Sequence, residues 1–472
     1  MNNTKAPFNL NDFPPEILLI VFHLVGYPAP SETRLHEQPS ESLLSVEPEF
    51  CSLKSASVVC KVWRSLALPK LFRHVLWRPQ VSSLSAFTLS PIPLLRFLVD
   101  NKLDRAVQSF TLIIDFVDEW ADAHRRMPHI RSVDLEWFWD LLFSVIDPLR
   151  FTIVAPPTTL AAFMSRMLFL DDAWSFDMPY HILSLSRAHR IVPSASTSCL
   201  ETTFGDLKLS AVQSDAEGSQ PDTGLSSRPR LIGARRSRPQ PPPCPLFTIR
   251  PWTSLLLNEG SSTNVYRTYE FFLRRPPSML GALLGCEEYP NDTPLVPSSV
   301  VDLSYVAIFP LSAHFDTLMQ NLPRIDRLFI QLTPGKGSSL LDNKEDMHHI
   351  DLADLWMERN TSYSYLMREL TTQSPGISSI LSNDPADNSE SGNSTNRNNW
   401  AALRVFESGD AADKEAWGMY VEHLRNSGFH SWKIEREGVL IKQEEVPPAI
   451  NEPHMTTTSS HPTATGEDVL SV

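Results

Sequence analysis

Apolar residues recur at helical spacing near the start of the chain and predict a helix over residues 14–24. Four of them follow an i, i+3, i+4, i+7 pattern: Ile17, Ile20, Val21 and Leu24. Pro14 and Pro15 suit a first helical turn, where a missing N–H has no partner to lose. Glu16 lies favourably near the positive end of the helix dipole. The pattern therefore predicts both the helix and its starting point.

The same helix is apolar on almost every side, because Leu18, Leu19 and Phe22 fill the positions between the four residues of the stripe. A helix of this kind needs cover on more than one side. A short helical region has little interior to supply that cover. We therefore expect part of it to face a partner.

A second helical stripe covers residues 53–67, where apolar residues step by three and four. Its members are Leu53, Ala56, Val59, Cys60, Trp63, Leu66 and Ala67. Pro69 is predicted to end the helix, because a proline inside a helix loses a hydrogen bond and clashes with the preceding turn. On this stripe Cys60 is expected to be a small residue of the core.

The segment Val59-Cys60-Lys61-Val62-Trp63-Arg64, following the helix start Phe13-Pro14-Pro15-Glu16, resembles the F-box. The resemblance covers residues 8–77. It implies a three-helix module that docks on the Skp-type adaptor of cullin-based ubiquitin ligases. The implied adaptor-binding residues are Phe13, Pro14, Pro15, Glu16, Ile17, Leu18, Ile20, Val21, Leu24, Val58, Val59, Cys60 and Trp63. Trp63 is the expected anchor, since aromatic residues dominate interface energies.

Residues 26–50 form an insert of roughly 25 residues between the first two helices of this module, where an F-box normally has a tight connection. Long surface insertions cost little, because each doubling of a loop adds only about 0.6 kcal/mol of closure entropy. We therefore expect the insert to be a surface loop that leaves the module intact.

Strand-like and helix-like segments alternate through residues 78–190 and 246–442. The predicted strands are 110–116, 151–154, 300–308, 325–332, 403–406, 432–434 and 439–441; the predicted helices are 94–98, 137–146, 315–322, 351–370 and 417–426. Two of these strands begin about 24 residues apart, a spacing typical of leucine-rich repeats. F-box proteins commonly carry such arrays, and the segment 303–364 resembles fungal F-box proteins. The predicted fold is α/β, an F-box followed by an irregular leucine-rich-repeat-like solenoid.

Three polar segments lack apolar periodicity and are predicted to be disordered: the Pro/Ser/Arg-rich linker 191–245, the loop 373–399 and the tail 443–472. Such segments cannot bury enough apolar surface to offset the entropy of ordering. The linker carries a basic cluster: Arg228, Arg230, Arg235, Arg236 and Arg238. It is either a charged flexible tether or a nuclear localisation signal.

Composition narrows the class of protein. The formal net charge of −14 disfavours a nucleic-acid binder, which needs a basic surface to neutralise phosphates. No segment approaches the roughly 20 apolar residues of a membrane helix. The five cysteines are widely spaced and form no C-x-x-C motif, which favours a reducing compartment, the cytoplasm or the nucleus.

Catalytic motifs are weak. Lys336 stands in a Pro-Gly-Lys-Gly-Ser-Ser segment that lacks the spacing of a phosphate-binding loop and is expected to be a turn. An acidic and histidine-rich cluster lacks the ordered spacing of a metal site: Glu345, Asp346, His348, His349, Asp351, Asp354 and Glu358. We expect Asp351 and Asp354 to stabilise a helix start, and Asp354, Glu358 and Arg359 to form a solvated polar face. No cofactor or metal is predicted.

The expected function is therefore that of a non-catalytic substrate receptor of a Skp–cullin–F-box ubiquitin ligase. Its F-box holds the adaptor, and through it the cullin, while the repeat-like region presents an unknown target protein. Two alternatives stay open at this stage. The protein could be an adaptor-bound scaffold that acts outside ubiquitination, or an enzyme that uses the acids of residues 345–358 with His348 and His349.

Overall fold

In the computed structural model, ten β-strands form one mixed sheet, and the protein is of the α/β class. The strands are β1 (His74–Trp77), β2 (Ser109–Ile113), β3 (Arg150–Ala155), β4 (His181–Ser186), β5 (Ser254–Ser261), β6 (Asp302–Ile308), β7 (Arg327–Gln331), β8 (Val405–Ser408), β9 (Trp432–Arg436) and β10 (Val439–Lys442). They lie side by side in the order β1-β2-β3-β4-β5-β6-β7-β8-β10-β9. Strands β1–β3 and β5–β8 are parallel, whereas β4, β9 and β10 pair antiparallel with their neighbours.

The structure describes ten segments of the chain: residues 13–26, 29–39, 52–79, 90–114, 132–168, 179–190, 244–273, 279–372, 393–426 and 431–443. The predicted linker and tail, and the first twenty residues of the loop predicted over 373–399, lie outside these segments, apart from residues 244, 245 and 443. The basic cluster 228–238 also lies outside them.

Most of the helices lie between successive strands in the order of the chain. The α-helices are α1 (Pro15–Val25), α2 (Pro30–Thr33), α3 (Ser52–Ala56), α4 (Lys61–Leu71), α5 (Ile92–Asp100), α6 (Ser132–Val145), α7 (Pro157–Phe163), α8 (Pro245–Thr248), α9 (Met279–Leu284), α10 (Ser312–Gln320), α11 (Lys344–Met347), α12 (Leu352–Thr372), α13 (Asn393–Ala402) and α14 (Lys414–Asn426). Short 3₁₀ helices lie at Asp104–Ala106, Thr263–Arg267 and Phe271–Leu273.

One face of the sheet is apolar and packs against helices α5–α10 and α12–α14. Successive side chains of a strand point to opposite faces, so alternate strand positions supply this core. Aromatic rings dominate its N-terminal half. Trp139 of α6 meets the ring of Phe151 edge to face with centroids 5.5 Å apart, and Phe151 stacks on Phe110 of β2 at 5.7 Å. Such pairs are stronger than their buried area alone implies.

The opposite face, which we call the polar face, is largely hydroxylated. Rows of cross-strand neighbours follow from the pairing register. Two of these rows are Ser109, Arg150, Ser186, Ser254, Asp302 and Arg327, and then Thr111, Thr152, Ser184, Leu256, Ser304 and Phe329. A third row turns apolar, with Ile113, Val154 and Ile182, before it reaches Asn258.

Helices α1, α3 and α4 pack into a separate cluster, which we call the helical module. Its core is Leu18, Phe22, Leu53, Ala56 and Ala67. The predicted first helix is confirmed, shifted by one residue. The second predicted helix is not continuous, because residues 57–59 form a turn and α4 begins at Lys61, after the extended residue Cys60. Pro69 does not end α4, which continues to Leu71, so its missing N–H removes one helical hydrogen bond near the C-terminus.

Several predicted elements agree with the structure. The strand predicted over 325–332 is β7, and the helix predicted over 351–370 is α12. Strand β4 interrupts the predicted series of parallel strand–helix units, because the chain turns back after α7 and runs antiparallel to β3. The loop predicted over 373–399 is wrong for its last seven residues, because α13 begins at Asn393. Trp400 anchors α13 because its indole N–H donates to the Met319 carbonyl at 3.0 Å.

Candidate functional site

The helical module exposes apolar side chains that a stable core normally covers. Within the described residues, eight of the nineteen exposed large hydrophobic side chains belong to it. They are Ile17, Leu19, Ile20, Val21, Leu24, Val58, Val59 and Val62. Leu24 and Val58 are 77% and 76% exposed. Single exposed apolar residues need no explanation, but a concentration on one small unit is typical of an interaction surface.

The predicted adaptor-binding residues differ in burial and fall into three groups. Leu18 is buried in the core of the module, so its role is to hold the helices together. Phe13 and Trp63 are half-buried, and the Trp63 ring meets Phe22 edge to face at 5.5 Å. Pro14, Pro15 and Glu16 are exposed, as are the aliphatic residues of α1 and of the turn before α4.

Cys60 has a different role from the one expected. Its backbone is extended, and its Sγ accepts a hydrogen bond from the Trp63 N–H at 3.4 Å. It therefore caps the N-terminus of α4, where N–H groups lack helical partners. The helix break places Val58 and Val59 in an exposed turn, which a continuous helix would not have done.

The module is joined to the sheet by a short, hydrogen-bonded connection. Helix α4 ends at Leu71 and β1 begins at His74, so two residues separate them. The carbonyl of Arg73 accepts from the N–H of Gln108 at 2.7 Å, and the Arg73 guanidinium donates to the Gln108 side chain at 2.6 Å. Phe72 packs on Phe97 of α5. The predicted F-box range of 8–77 thus includes the first strand of the sheet.

Residues 29–39, which belong to the predicted surface insert, lie on the polar face of the sheet. Leu35 is 2% exposed and packs against the apolar third row and Leu256. The Ser31 hydroxyl lies 3.3 Å from that of Ser109, and its carbonyl accepts from Arg150 at 3.3 Å. This part of the insert is therefore not a loop free of the sheet, because burial of Leu35 and these bonds hold it there.

Asn258 of β5 joins this segment to the sheet through its side-chain amide. It is fully buried, and its Nδ2 donates to the Leu35 carbonyl at 2.9 Å and to the Glu37 carbonyl at 2.8 Å. Its Oδ1 accepts from the Gly260 N–H at 2.9 Å. A register shift at 258–260 and a φ of +77° at Gly260 make this a β-bulge. A Gly inside an apolar strand-like run was the sequence signal for a bulge.

A polar groove of about 310 Å³ continues beside this segment. His36 lines it and packs on Phe329 with ring centroids 4.6 Å apart. Burial, and next the charge of Arg150, lower the pKa of His36, so the ring is neutral at pH 7. At the other side of the groove Arg327 pairs with Glu407. The groove thus offers hydroxyls, one aromatic face and charges of both signs.

Two members of the predicted acidic cluster serve helix ends. Asp351 accepts from the Ala353 N–H at 2.9 Å at the start of α12, as expected for a helix-start acid. Glu358 accepts from the Ser312 N–H at 2.6 Å, which caps the neighbouring helix α10. In the described part of the chain no group of three or more His, Cys, Asp or Glu side chains is arranged to hold a metal ion. Lys336 lies in a segment without helix or strand, between β7 and α11.

Arg359 is buried, which corrects the predicted solvated polar face. It is 1% exposed, and its guanidinium lies 4.7 Å from the Tyr363 ring and 4.0 Å from the Asp410 carboxylate. Asp410 in turn accepts from the Leu332 and Thr333 N–H groups at the end of β7. Burial raises the pKa of Asp410, and the charge of Arg359 opposes that effect.

A second buried polar cluster joins β5, β6 and α10. Glu259 accepts from the Tyr305 hydroxyl at 2.6 Å and contacts the His314 Nε2 at 2.9 Å. Burial alone would raise the pKa of Glu259, but the neighbouring His314 and His181 and the Tyr305 bond lower it. Burial lowers the pKa of His181 to about 4. These groups are enclosed by the protein, which favours a structural role.

None of the helices among the described segments combines the length and the apolar character that crossing a bilayer requires. None of the three described cysteines, Cys60, Cys244 and Cys286, forms a disulfide. Comparison of the chain with protein families, curated proteins and solved structures finds no match.

Proposed function

We propose that the protein is a substrate receptor of a Skp–cullin–F-box ubiquitin ligase, acting in the cytoplasm or nucleus. The helical module would dock on the Skp-type adaptor, and the sheet region would present a target protein. The observation that carries the proposal is the concentration of exposed aliphatic residues on a module whose sequence resembles the F-box. Covering such side chains removes apolar surface from water and favours association.

The exposed residues also indicate how the adaptor contact is divided. On α1, Leu18 and Phe22 face the module core, whereas Ile20 and Leu24 lie on the opposite side of the helix. Part of the Trp63 ring packs against Phe22 inside the module, so a substitution of Trp63 would affect the folding of the module as well as its contact with the adaptor. The aliphatic residues of α1 and of the 57–59 turn are therefore the better probes of adaptor binding.

The connection to the sheet supports a receptor function. A receptor acts by holding its target near the charged conjugating enzyme, an effective-concentration effect that requires a defined geometry. Only Phe72 and Arg73 separate α4 from β1, and both make contacts beyond the chain connection. A rigid link of this kind would transmit the position of the adaptor to the target.

The sheet region fits an irregular, leucine-rich-repeat-like solenoid in one respect. Strands β1 to β8 lie side by side in chain order, and most of the helices between them pack on one face. Strand β4 and the terminal hairpin depart from a regular repeat. The chemistry needs no active site on this chain, because the conjugating enzyme and the cullin complex supply it.

Co-purification of the full chain with a Skp-type adaptor tests the proposal. The informative variant is Ile20→Asp/Leu24→Asp, since both side chains are exposed and their change leaves the core in place. The matched control is Leu273→Asp, which is 67% exposed and lies outside the module. We expect the double variant to weaken adaptor binding at least about tenfold, a loss of 1.4 kcal/mol, and the control to bind normally.

Adaptor binding that is equal in the wild type and the double variant would reject the proposed surface. Cullin that co-purifies with the wild-type complex would support the receptor function. Adaptor recovered without cullin would instead favour the scaffold alternative, in which the module binds the adaptor outside ubiquitination.

A further inference from the structure

Residues 29–39 contact the polar face of the sheet in the way a bound peptide contacts its receptor. They enter from α1, place one aliphatic side chain in an apolar recess, and offer two main-chain carbonyls to one receptor side chain. The recess consists of Ile113, Val154, Ile182 and Leu256, and Leu35 fills it. Apolar side chains and main-chain hydrogen bonds are the usual sources of affinity and specificity in peptide recognition.

The receptor half of this contact is built by the sheet itself. The bulge at Gly260 turns the Asn258 side chain so that its Oδ1 is bonded within β5 while its Nδ2 points to the segment. Both hydrogens of this amide nitrogen have acceptors, the Leu35 and Glu37 carbonyls, which stand two residues apart. A buried amide that is satisfied in this way costs free energy when its partner leaves. The site therefore favours an occupied state.

A third contact lies next to the first two. His36 follows Leu35 and packs its neutral ring on Phe329, which belongs to β7. Beyond it the groove lined by Ser254, Ser304 and Glu407 continues along the face. The segment thus covers one part of the polar face and leaves a groove beside it.

We propose that the polar face is a peptide-binding site and that residues 31–37 occupy it as an intramolecular ligand. The ligand class is a peptide that presents a leucine-like side chain followed by a flat ring, with the carbonyls at the leucine and two residues later turned towards Asn258. The inference rests on the proposed function only in identifying such a peptide as the target of the receptor. Peptide binding itself requires no adaptor.

The chain link between α1 and the segment determines how well a free peptide can compete with the segment for the site. Residues 27–28 join the segment to α1, and a short tether gives an effective concentration of about millimolar. A peptide in solution therefore competes poorly with the wild-type segment. A variant that weakens the segment leaves the site open to the peptide.

Photo-crosslinking on the full-length protein tests this inference. The probe is the peptide of residues 29–39, Ala-Pro-Ser-Glu-Thr-Arg-Leu-His-Glu-Gln-Pro, with a photoreactive leucine at its seventh position, used at about 10 μM, roughly a hundredfold below the effective concentration of the tethered segment. The receptors are the wild type, Leu35→Asp, and the milder Leu35→Ala. Leu24→Asp is the matched control, since it introduces the same charge at an exposed position. Circular dichroism establishes that each variant is folded.

We expect at least tenfold more labelling of Leu35→Asp or Leu35→Ala than of the wild type or Leu24→Asp, with the crosslinks on β2–β5. Adding Asn258→Ala to either Leu35 variant should reduce that labelling. Equal labelling of all receptors, labelling elsewhere, or none in folded Leu35 variants would overturn the inference.

The adaptor co-purification described above is run on the same proteins. Ile20 and Leu24 lie outside the peptide contact, so the two tests are independent. Equal adaptor binding by the wild type and Ile20→Asp/Leu24→Asp, together with the expected labelling of the Leu35 variants, would reject the proposed adaptor surface alone. Weaker adaptor binding by that double variant, together with failed labelling of the Leu35 variants, would reject the peptide site alone.

Discussion

Residues 13–26 and 52–63 carry eight large apolar side chains that are more than a third exposed, whereas Thr152 and Ser184 on the polar face are almost fully buried. The two hydroxyls satisfy each other at 2.9 Å, and residues 29–39 cover neighbouring positions of that face. The helical module leaves apolar surface for something else to cover, whereas the sheet covers polar surface with the chain itself. A partner of the helical module would bind to apolar surface that is already exposed. A partner of the polar face would first have to displace residues 29–39.

The same contrast extends to charge. The sheet region encloses ionised groups such as Arg359 and Glu259 and provides their partners, while the described residues of the module bury no charged side chain. Enclosed charges are stable only when every partner is in place. We therefore expect the sheet region to respond strongly to the loss of single polar groups and the module to respond strongly to the loss of single apolar ones.

The largest effect is expected from Arg359→Ala. The change leaves the buried Asp410 without its guanidinium, and breaking a buried pair from one side costs about 3–5 kcal/mol. The free energy of unfolding from urea titration measures the loss. Arg368→Ala on the same helix is the control and should change stability by less than about 0.5 kcal/mol, because that side chain is 58% exposed. Equal losses in the two variants would contradict the importance assigned to the buried pair.

Within the module, Leu18→Ala should lower the free energy of unfolding by about 2–5 kcal/mol, because it opens a cavity in a small core. Leu24→Ala should change it by less than about 0.5 kcal/mol, since the side chain is 77% exposed. Thermal unfolding of both variants separates the residues that build the module from those available to a partner. A large loss for Leu24→Ala would mean that α1 is already covered.

Acid should weaken the sheet region through His181. Its pKa is about 4 in the folded protein, below the ordinary value of 6.5, because burial disfavours the charged ring. Between these two values the unfolded chain binds more protons, so stability falls as the pH drops from 6.5 towards 4 and is unaffected by this group above 6.5. The loss is at most about 3 kcal/mol.

Unfolding free energies measured at several pH values between 7.5 and 4.5 test this dependence. The variant His181→Gln cannot titrate, so its stability should depend less on pH in that range than that of the wild type. Identical slopes in the two proteins would assign the acid sensitivity to other groups whose pKa burial lowers, such as His36.

The smallest effect is expected in the segment that joins the two regions. Arg34 and Glu37 form an ion pair at 2.9 Å, but their side chains are 41% and 51% exposed. Exposed pairs contribute about 0–1 kcal/mol. Arg34→Ala should therefore leave the segment on the polar face. Limited proteolysis measures this: residues 29–39 should be as resistant in Arg34→Ala as in the wild type, and more sensitive in Leu35→Ala. Release of the segment by Arg34→Ala alone would show that the ion pair, and not Leu35, holds it.

Much of the local structure could be predicted because it depends on spacing along the chain. The stripe of Ile17, Ile20 and Leu24 predicts α1 to within a residue, and the apolar runs at 300–308 and 325–332 predict β6 and β7. The exposed part of the module followed from the same pattern, because a helix that is apolar all round has more apolar surface than its neighbours can cover.

The sequence alone determined which positions are apolar, and through that periodicity the type and place of most helices and strands. Only the tertiary structure decided which polar groups are enclosed. Asn258 and Leu35 are bonded although they stand 223 residues apart, and Arg359 is buried by partners from β8–α14. Helical and strand periods record local geometry, whereas a buried polar contact depends on where distant segments meet. That is why the pattern of the insert predicted only a loop, whereas the tertiary structure places residues 29–39 of it on the sheet.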